Sequence, residues 1–455
     1  MKMYVAGTIL LLAVTTVFGV PSLYATSLQD ALNSSTSGLV VLSTSYSQAG
    51  PLKIPDDVTL ECNSWAVTLS FTGTSTSSLR AMLVVGNNSI VRNCKLDFTA
   101  STAVDSILAS GTNAELEHNW VLGSAIDRVP NFQVFLTGNR SKSIRCRYDT
   151  MQALVLEGSN VESDDDVFVS YRTGVNVTGS QNAKVITPHC ESIGNPTGPI
   201  IPGYDCVLID TSQNVEVIGA LVNASREHGI YVSDANTNVN IDGGTFSSQP
   251  GCGVKIHASS TDPTKLNIGI TVKHPQITGG SVSPLGSNNP LTSCGMQIDH
   301  ARQVIVTSPV IRLQNIGIDV EGLVDGLTIS SPVVEFNTGP GIRFRDTRGP
   351  LNRIRVISAE INGNSFGNAA NGFSGIEIRP DGGGKSNSNR NSDIVISDGR
   401  FGDNQSTPTQ HYGFALIAPT NGSTISNVKL LDNTRVGKIV RLYSSTTGYK
   451  NLVIR

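Results

Sequence analysis

A glycine followed by an apolar, a free and a second apolar position returns along much of the chain. It reads Gly229-Ile-Tyr-Val232, Gly253-Val-Lys-Ile256, Gly295-Met-Gln-Ile298, Gly317-Ile-Asp-Val320, Gly341-Ile-Arg-Phe344, Gly375-Ile-Glu-Ile378 and Gly413-Phe-Ala-Leu416. The intervals are 24, 42, 22, 24, 34 and 38 residues, a base period of 22 to 24 stretched where loops intrude. Between these tetrads lie alternating segments such as Val239-Asn-Ile241, Val304-Ile-Val306, Leu327-Thr-Ile329 and Ile354-Arg-Val356. Ser180-Gln-Asn-Ala-Lys-Val-Ile186 is echoed by Ser212-Gln-Asn-Val-Glu-Val-Ile218. Alternation places one apolar set inward and one polar set outward on each short strand. No single coil can bury its own core, but stacked coils close it, so the period predicts an all-β, single-stranded parallel β-helix. An antiparallel sandwich would show hairpin dipeptides and no fixed tetrad period.

Upstream the spacing changes. Leu28, Ala31 and Leu32 follow a helical interval within Ser27-Leu-Gln-Asp-Ala-Leu32, which predicts a short N-terminal helix covering the open end of the solenoid. Earlier still, Lys2 precedes an apolar run from Val5 to Val20, and Ala25 is a plausible cleavage point. That run has 16 residues, short of the ~20 needed to span a bilayer, so 1–25 reads as a signal peptide and 26–455 as one β-helix domain. The expected location is secreted or at the cell surface, with no stable membrane span.

Composition sharpens this picture in three ways. Only 15% of the 455 residues are charged and 5% aromatic, which suits a turn-rich β solenoid. The net charge of -3 gives no basic surplus, which argues against nucleic acid as a partner. Seven cysteines, an odd number, leave at least one without a partner in the chain; Cys252 and Cys294 sit at equivalent places in neighbouring coils, and Cys190 and Cys206 bracket a loop. Either pair can form a disulfide, and buried thiols are the alternative.

Aligning tetrads turns outward side chains into vertical rows. The row before the glycine reads Asp165, Asp205, His228, Cys252, Cys294; the row within the tetrad reads Phe168, Leu208, Tyr231, Lys255, Gln297, Asp319, Arg343, Glu377. The next reads Ser170, Asp210, Ser233, His257, Asp299, Glu321, Arg345, Arg379. With its helix-capped opening and its Ile54-Pro-Asp-Asp-Val-Thr-Leu60 start, the chain resembles the pectate-lyase-like superfamily of right-handed parallel β-helices over nearly its whole length. That superfamily includes lyases, hydrolases, epimerases, tailspikes and adhesins, so the resemblance implies fold more than function. Tyr204-Asp205-Cys206, Glu227-His228-Gly229 and Gly253-Val-Lys-Ile-His257 look like the Asp-Asp-Cys, Gly-His-Gly and Arg-Ile-Lys strands of polygalacturonases, with Asp164-Asp165-Asp166 in place of Asn-Thr-Asp-Gly. The resemblance implies Asp165 and Asp205 as catalytic carboxylates, His228 as their tuner, and Lys255 and His257 as holders of a uronate carboxyl. Tyr204 stands where that family has its first Asp, and Lys255 and His257 replace Arg and Lys.

The function expected is degradation of an acidic, uronate-containing polysaccharide, by hydrolysis or by β-elimination. Hydrolysis needs two carboxyls in opposite protonation states. Elimination needs a base beside the uronate C5 hydrogen and a cation for its carboxylate. Lys255, His257, Arg343 and Arg345 can serve the second chemistry, with Tyr231 against the sugar and Asp299, Asp319 and Glu321 as candidate Ca²⁺ ligands. No cofactor is required otherwise. The alternative is a non-catalytic adhesin or spike-like carbohydrate-binding protein. Residue by residue, the plainer readings are a solvated salt-bridge ladder for Asp319, Glu321, Arg343, Arg345, Glu377 and Arg379, a corner residue bonded to a turn for His228, and a solvated turn for Asp164 to Asp166. The oligomeric state is open.

Overall fold

The computed structural model describes residues 27–73, 81–103, 105–123, 134–150, 152–170, 172–193, 203–279, 293–345, 349–365, 373–379, 391–403, 408–416 and short pieces beyond. The expected signal peptide, 1–25, lies outside the described residues. Within them, every strand pairing is parallel and joins one coil to the next. Val207–Asp210, Gln213–Ile218 and Leu221–Val222 form one coil, and they pair in order with Ile230–Val232, Thr237–Asp242 and Thr245–Ser247 of the next. Each coil therefore has a first, a second and a third wall. The first two run together as a 31-stranded sheet and the third is a 15-stranded sheet. In later coils the first two walls fuse into single strands, Cys294–Thr307 and Ile316–Ser330.

The helix Leu28–Asn33 is capped by Ser27, whose hydroxyl accepts the Asp30 N–H, and it buries Leu28, Ala31 and Leu32. Gln29 extends the cap: its side-chain amide donates to the Lys53 carbonyl at 2.8 Å and accepts the Lys53 N–H at 2.9 Å. One side chain thus stands in for a missing strand on the exposed edge of Leu52–Ile54.

The core is a stack of aliphatic side chains with occasional ring pairs, such as Phe71 on Phe98 at 4.5 Å and Tyr148 on Phe168 at 5.4 Å. The tetrad glycine has a steric cause. A Cβ on Gly229 would lie 2.5 Å from the ring of Phe246, and one on Gly295 would lie 2.3 Å from Ile311. Third-wall side chains pass beneath that position and leave no room. At the corner before the second wall, Asn139, Asn160, Asn182, Asn214 and Asn238 form a ladder, each from Asn160 onward donating its side-chain amide to the side-chain oxygen of the one before at 2.9 to 3.1 Å. Four of these, from Asn160 onward, hold positive φ, which asparagine tolerates.

Three disulfides are present: Cys62–Cys94, Cys190–Cys206 and Cys252–Cys294, with Cys146 a buried thiol. Both candidate pairs form rather than remaining buried thiols, and the third joins neighbouring coils near the start. Disulfides fit an oxidising compartment outside the cytoplasm. Among the described residues no helix is long and apolar enough to cross a membrane.

Candidate functional site

The register settles which outward residues share a column on the first wall. Asn176, Leu208, Tyr231, Lys255, Gln297, Asp319, Arg343 and Glu377 follow one another. Beside them run His257, Asp299, Glu321, Arg345 and Arg379. These later coils match the sequence rows. The earliest members do not. Phe168 and Ser170 lie on the third wall in Val167–Ser170, pairing with His189–Ile193, and both point inward.

Asp165 shares their displacement. It is an exposed corner residue with φ +54 between the second and third walls, and its N–H donates to the Ile186 carbonyl. The first-wall strand beneath Val207–Asp210 is instead Val175–Thr178, so Asp165 stands apart from Asp205 and His228. The cause is chain length: the coil between them carries extra residues, and a tetrad count that skips a coil lands on the wrong wall. Asp166, its neighbour, is the buried member, accepting from the Cys146 N–H at 2.7 Å and bonded to the Ser163 hydroxyl at 2.6 Å.

The remaining groups form two connected clusters. In the first, Asp205 is fully buried, and burial together with the Glu227 charge pushes its carboxyl well above the ordinary carboxylate range. One oxygen accepts the His228 backbone N–H at 3.2 Å; the other, Oδ2, has no hydrogen-bond partner. Glu227 behaves oppositely. Burial opposes its ionisation, but the His228 ring, the Gly203 N–H and Lys255 hold it below its ordinary value. His228 is lowered to about 4, chiefly by burial, and so is neutral. Its Nδ1 accepts the Cys252 N–H at 2.9 Å, which leaves the proton on Nε2, 3.4 Å from Glu227 Oε1. Lys255 Nζ lies 3.3 Å from that same Nε2 and 4.9 Å above the Tyr231 ring. Burial lowers the Lys255 ammonium, against the pull of Glu227, Asp205 and Asp299.

In the second cluster His257, at 18% side-chain exposure, meets Asp299, at 1%, with Nδ1 2.8 Å from Oδ2. His300 Nδ1 contacts Oδ1 of the same carboxylate. His300 has φ +49 and lies at the bulge between Asp299 and Ala301, which turns its ring back toward Asp299. A Cβ on Gly322, in the next coil, would lie 2.0 Å from Asp299 Oδ1. His257 thus has Nδ1 against Asp299 while its ring stays partly exposed. Lys255 and His257 are two apart on Cys252–His257 and so face the same side, about 7 Å apart along the strand.

Further along, Asp319 is held by both Arg343 and Arg345, each through two nitrogens at 2.6 to 3.3 Å. Burial opposes its ionisation, yet the two guanidiniums keep its carboxyl below the ordinary range. Glu321 accepts from Gln297 at 2.6 Å and pairs with Arg345. Of the candidate Ca²⁺ ligands, Asp319 and Glu321 pair with arginine, and Asp299 faces two imidazoles. Arg343 and Arg345 are likewise committed to Asp319. Tyr231 has one ring face under Lys255 rather than open to a sugar.

Two triads, His257–Asp299–His300 and Asp205–Glu227–His228, have ligand-type atoms within 4.8 Å of one another. Most of their atoms bond to each other or to backbone; Asp205 Oδ2 is the exception. Sequence reasoning missed Glu227, His300 and Gly322. The first two adjoin His228 and Asp299 in the chain, and that adjacency was the available signal.

No protein-family model matches the sequence, and no curated protein matches it. Solved structures do. The A-module of a mannuronan C-5 epimerase from Azotobacter vinelandii aligns at 12% identity and TM-score 0.38, over 94% of this chain and 93% of that one. The catalytic unit of a thermostable α-1,3-glucanase from Streptomyces thermodiastaticus aligns at 12% identity and TM-score 0.46, over 94% and 63%. Tailspike protein 3 of bacteriophage CBA120 aligns at 10% identity and TM-score 0.40, over 92% and 56%. What this chain shares with them is the right-handed parallel β-helix.

Proposed function

We propose that the chain is a lyase acting by β-elimination on a uronate-containing polysaccharide, at the first-wall face formed by Tyr231, Lys255, His257 and Asp299. The observation that carries this reading is the His257–Asp299 pair: a buried carboxylate orients a half-open imidazole beside a lysine. His257 Nε2 takes the C5 proton, and Lys255 offsets the charge that develops on the uronate carboxylate. The C5–H electron pair becomes the C4=C5 double bond, and the C4–O bond breaks toward the leaving oxygen. That oxygen takes the proton of Tyr231, whose phenol burial keeps protonated.

Hydrolysis fits less well. Inverting hydrolysis separates its carboxyls by ~6.5 to 9.5 Å across the sugar, whereas Asp205 and Glu227 adjoin each other and are 0% and 5% exposed. Export to the cell exterior accords with the disulfides and with the apolar N-terminal run.

The test is a panel of uronate polymers assayed together for unsaturated-product absorbance and for reducing ends. Both signals rising together is the expected result. Reducing ends alone would replace elimination with hydrolysis. Binding without either signal would make the chain a carbohydrate-binding protein.

A further inference from the structure

The His257–Asp299 pair is assembled across an interruption. The tetrad intervals on either side are 24 and 22 residues, but Gly253 and Gly295 are separated by 42. The backbone must therefore return in register after a longer excursion than its neighbours make, and a longer closure leaves more ways to return out of step. At the root of that excursion Cys252 is bonded to Cys294, and these cysteines are register partners on the two strands that carry His257 and Asp299. Both are 2% exposed and pack against Ile316 of the next coil. The Cys252 N–H is also the donor to His228 Nδ1, so the same residue anchors the ring next to Lys255.

We infer that the Cys252–Cys294 disulfide is a positioning clamp for the reacting groups, holding Cys252–His257 and Cys294–Thr307 in the one register that sets His257 against Asp299. This rests on the elimination reading for its catalytic consequence, though not for its structural one. A slip by one residue would turn His257 to the other face. Smaller displacements would lengthen the 2.8 Å contact and free the imidazole to rotate. Cys62–Cys94 supplies an internal comparison: it also links neighbouring coils, with a separation of 32, but it lies far from Lys255 and His257 along the axis.

The experiment compares the double variants Cys252→Ala/Cys294→Ala and Cys62→Ala/Cys94→Ala in the full exported protein. Both should lower the melting temperature. Only the first should lower kcat, by about tenfold to a hundredfold, and displace the acid limb of the pH-rate profile. A second readout needs no substrate. In protein with ¹⁵N-labelled histidine, the Nδ1–H resonance of His257, assigned by its loss in His257→Gln, should vanish in the first variant and persist in the second. A Cys252→Val/Cys294→Ala variant fills more of the vacated volume if the first folds poorly. Retention of that resonance after loss of Cys252–Cys294 would overturn the clamp. Inactivity of the parent protein on every polymer, with the resonance lost as expected, would instead overturn only the elimination reading.

Discussion

His228 Nδ1 accepts the backbone N–H of Cys252, one coil further on, at 2.9 Å. A buried imidazole held this way must stay neutral, and its pKa is lowered from 6.5 to about 4. Stability from this group is full above the ordinary histidine value and is lost as pH falls from 6.5 toward 4, by about 3 kcal/mol if the shift is taken whole. His228→Asn keeps an acceptor near Nδ1 but cannot titrate. Melting curves from pH 7 to 4 should fall more steeply for the parent than for this variant; parallel curves would remove His228 as the acid-sensitive group.

Asp166 carries the opposite dependence. Burial raises its carboxyl to about 7, despite bonds from Ser163 and Cys146. Its contribution is full below the ordinary value of 3.8 and declines as pH rises toward 7, on the order of 4 kcal/mol in total. Asp166→Asn retains the acceptor for the Cys146 N–H and donates to Ser163. It should melt higher than the parent at pH 8 and similarly at pH 4.

Gly322 faces Asp299 with no room for a methyl group, and its φ of +71 disfavours any other residue. Gly322→Ala should push Asp299 away from His257. Activity should drop by about tenfold or more, and the Nδ1–H resonance of His257 should shift. An unchanged resonance would mean that the Asp299 carboxylate has another place to sit.

His257→Gln removes the proposed base and should cost about 10²- to 10⁴-fold in kcat. Asp299→Asn should cost less, because it disturbs the tautomer rather than the base itself. Lys255→Met should reduce kcat/KM, with partial recovery in Lys255→Arg.

Asp165→Asn should leave both activity and melting temperature near the parent values, since an exposed corner carboxylate contributes little. A large loss of activity would restore Asp165 to the reacting face.

The repeat alone was enough for the solenoid. Inward apolar residues at a period of 22 to 24 can be buried only by stacking, and an amphipathic stretch at Leu28, Ala31 and Leu32 has an open end to cover. From Asp205 onward the columns were legible too, because Tyr231, Lys255 and Gln297 share one tetrad position. What the tertiary structure decided was partnership. Asp165 fell at a corner and Phe168 on the third wall because inserted residues change which strand lies beneath a given tetrad. Arg343, Arg345 and Asp319 neutralised one another, whereas His257 found Asp299. Such choices depend on separations of a few ångströms between coils, and a one-dimensional period carries position along the chain but not those distances.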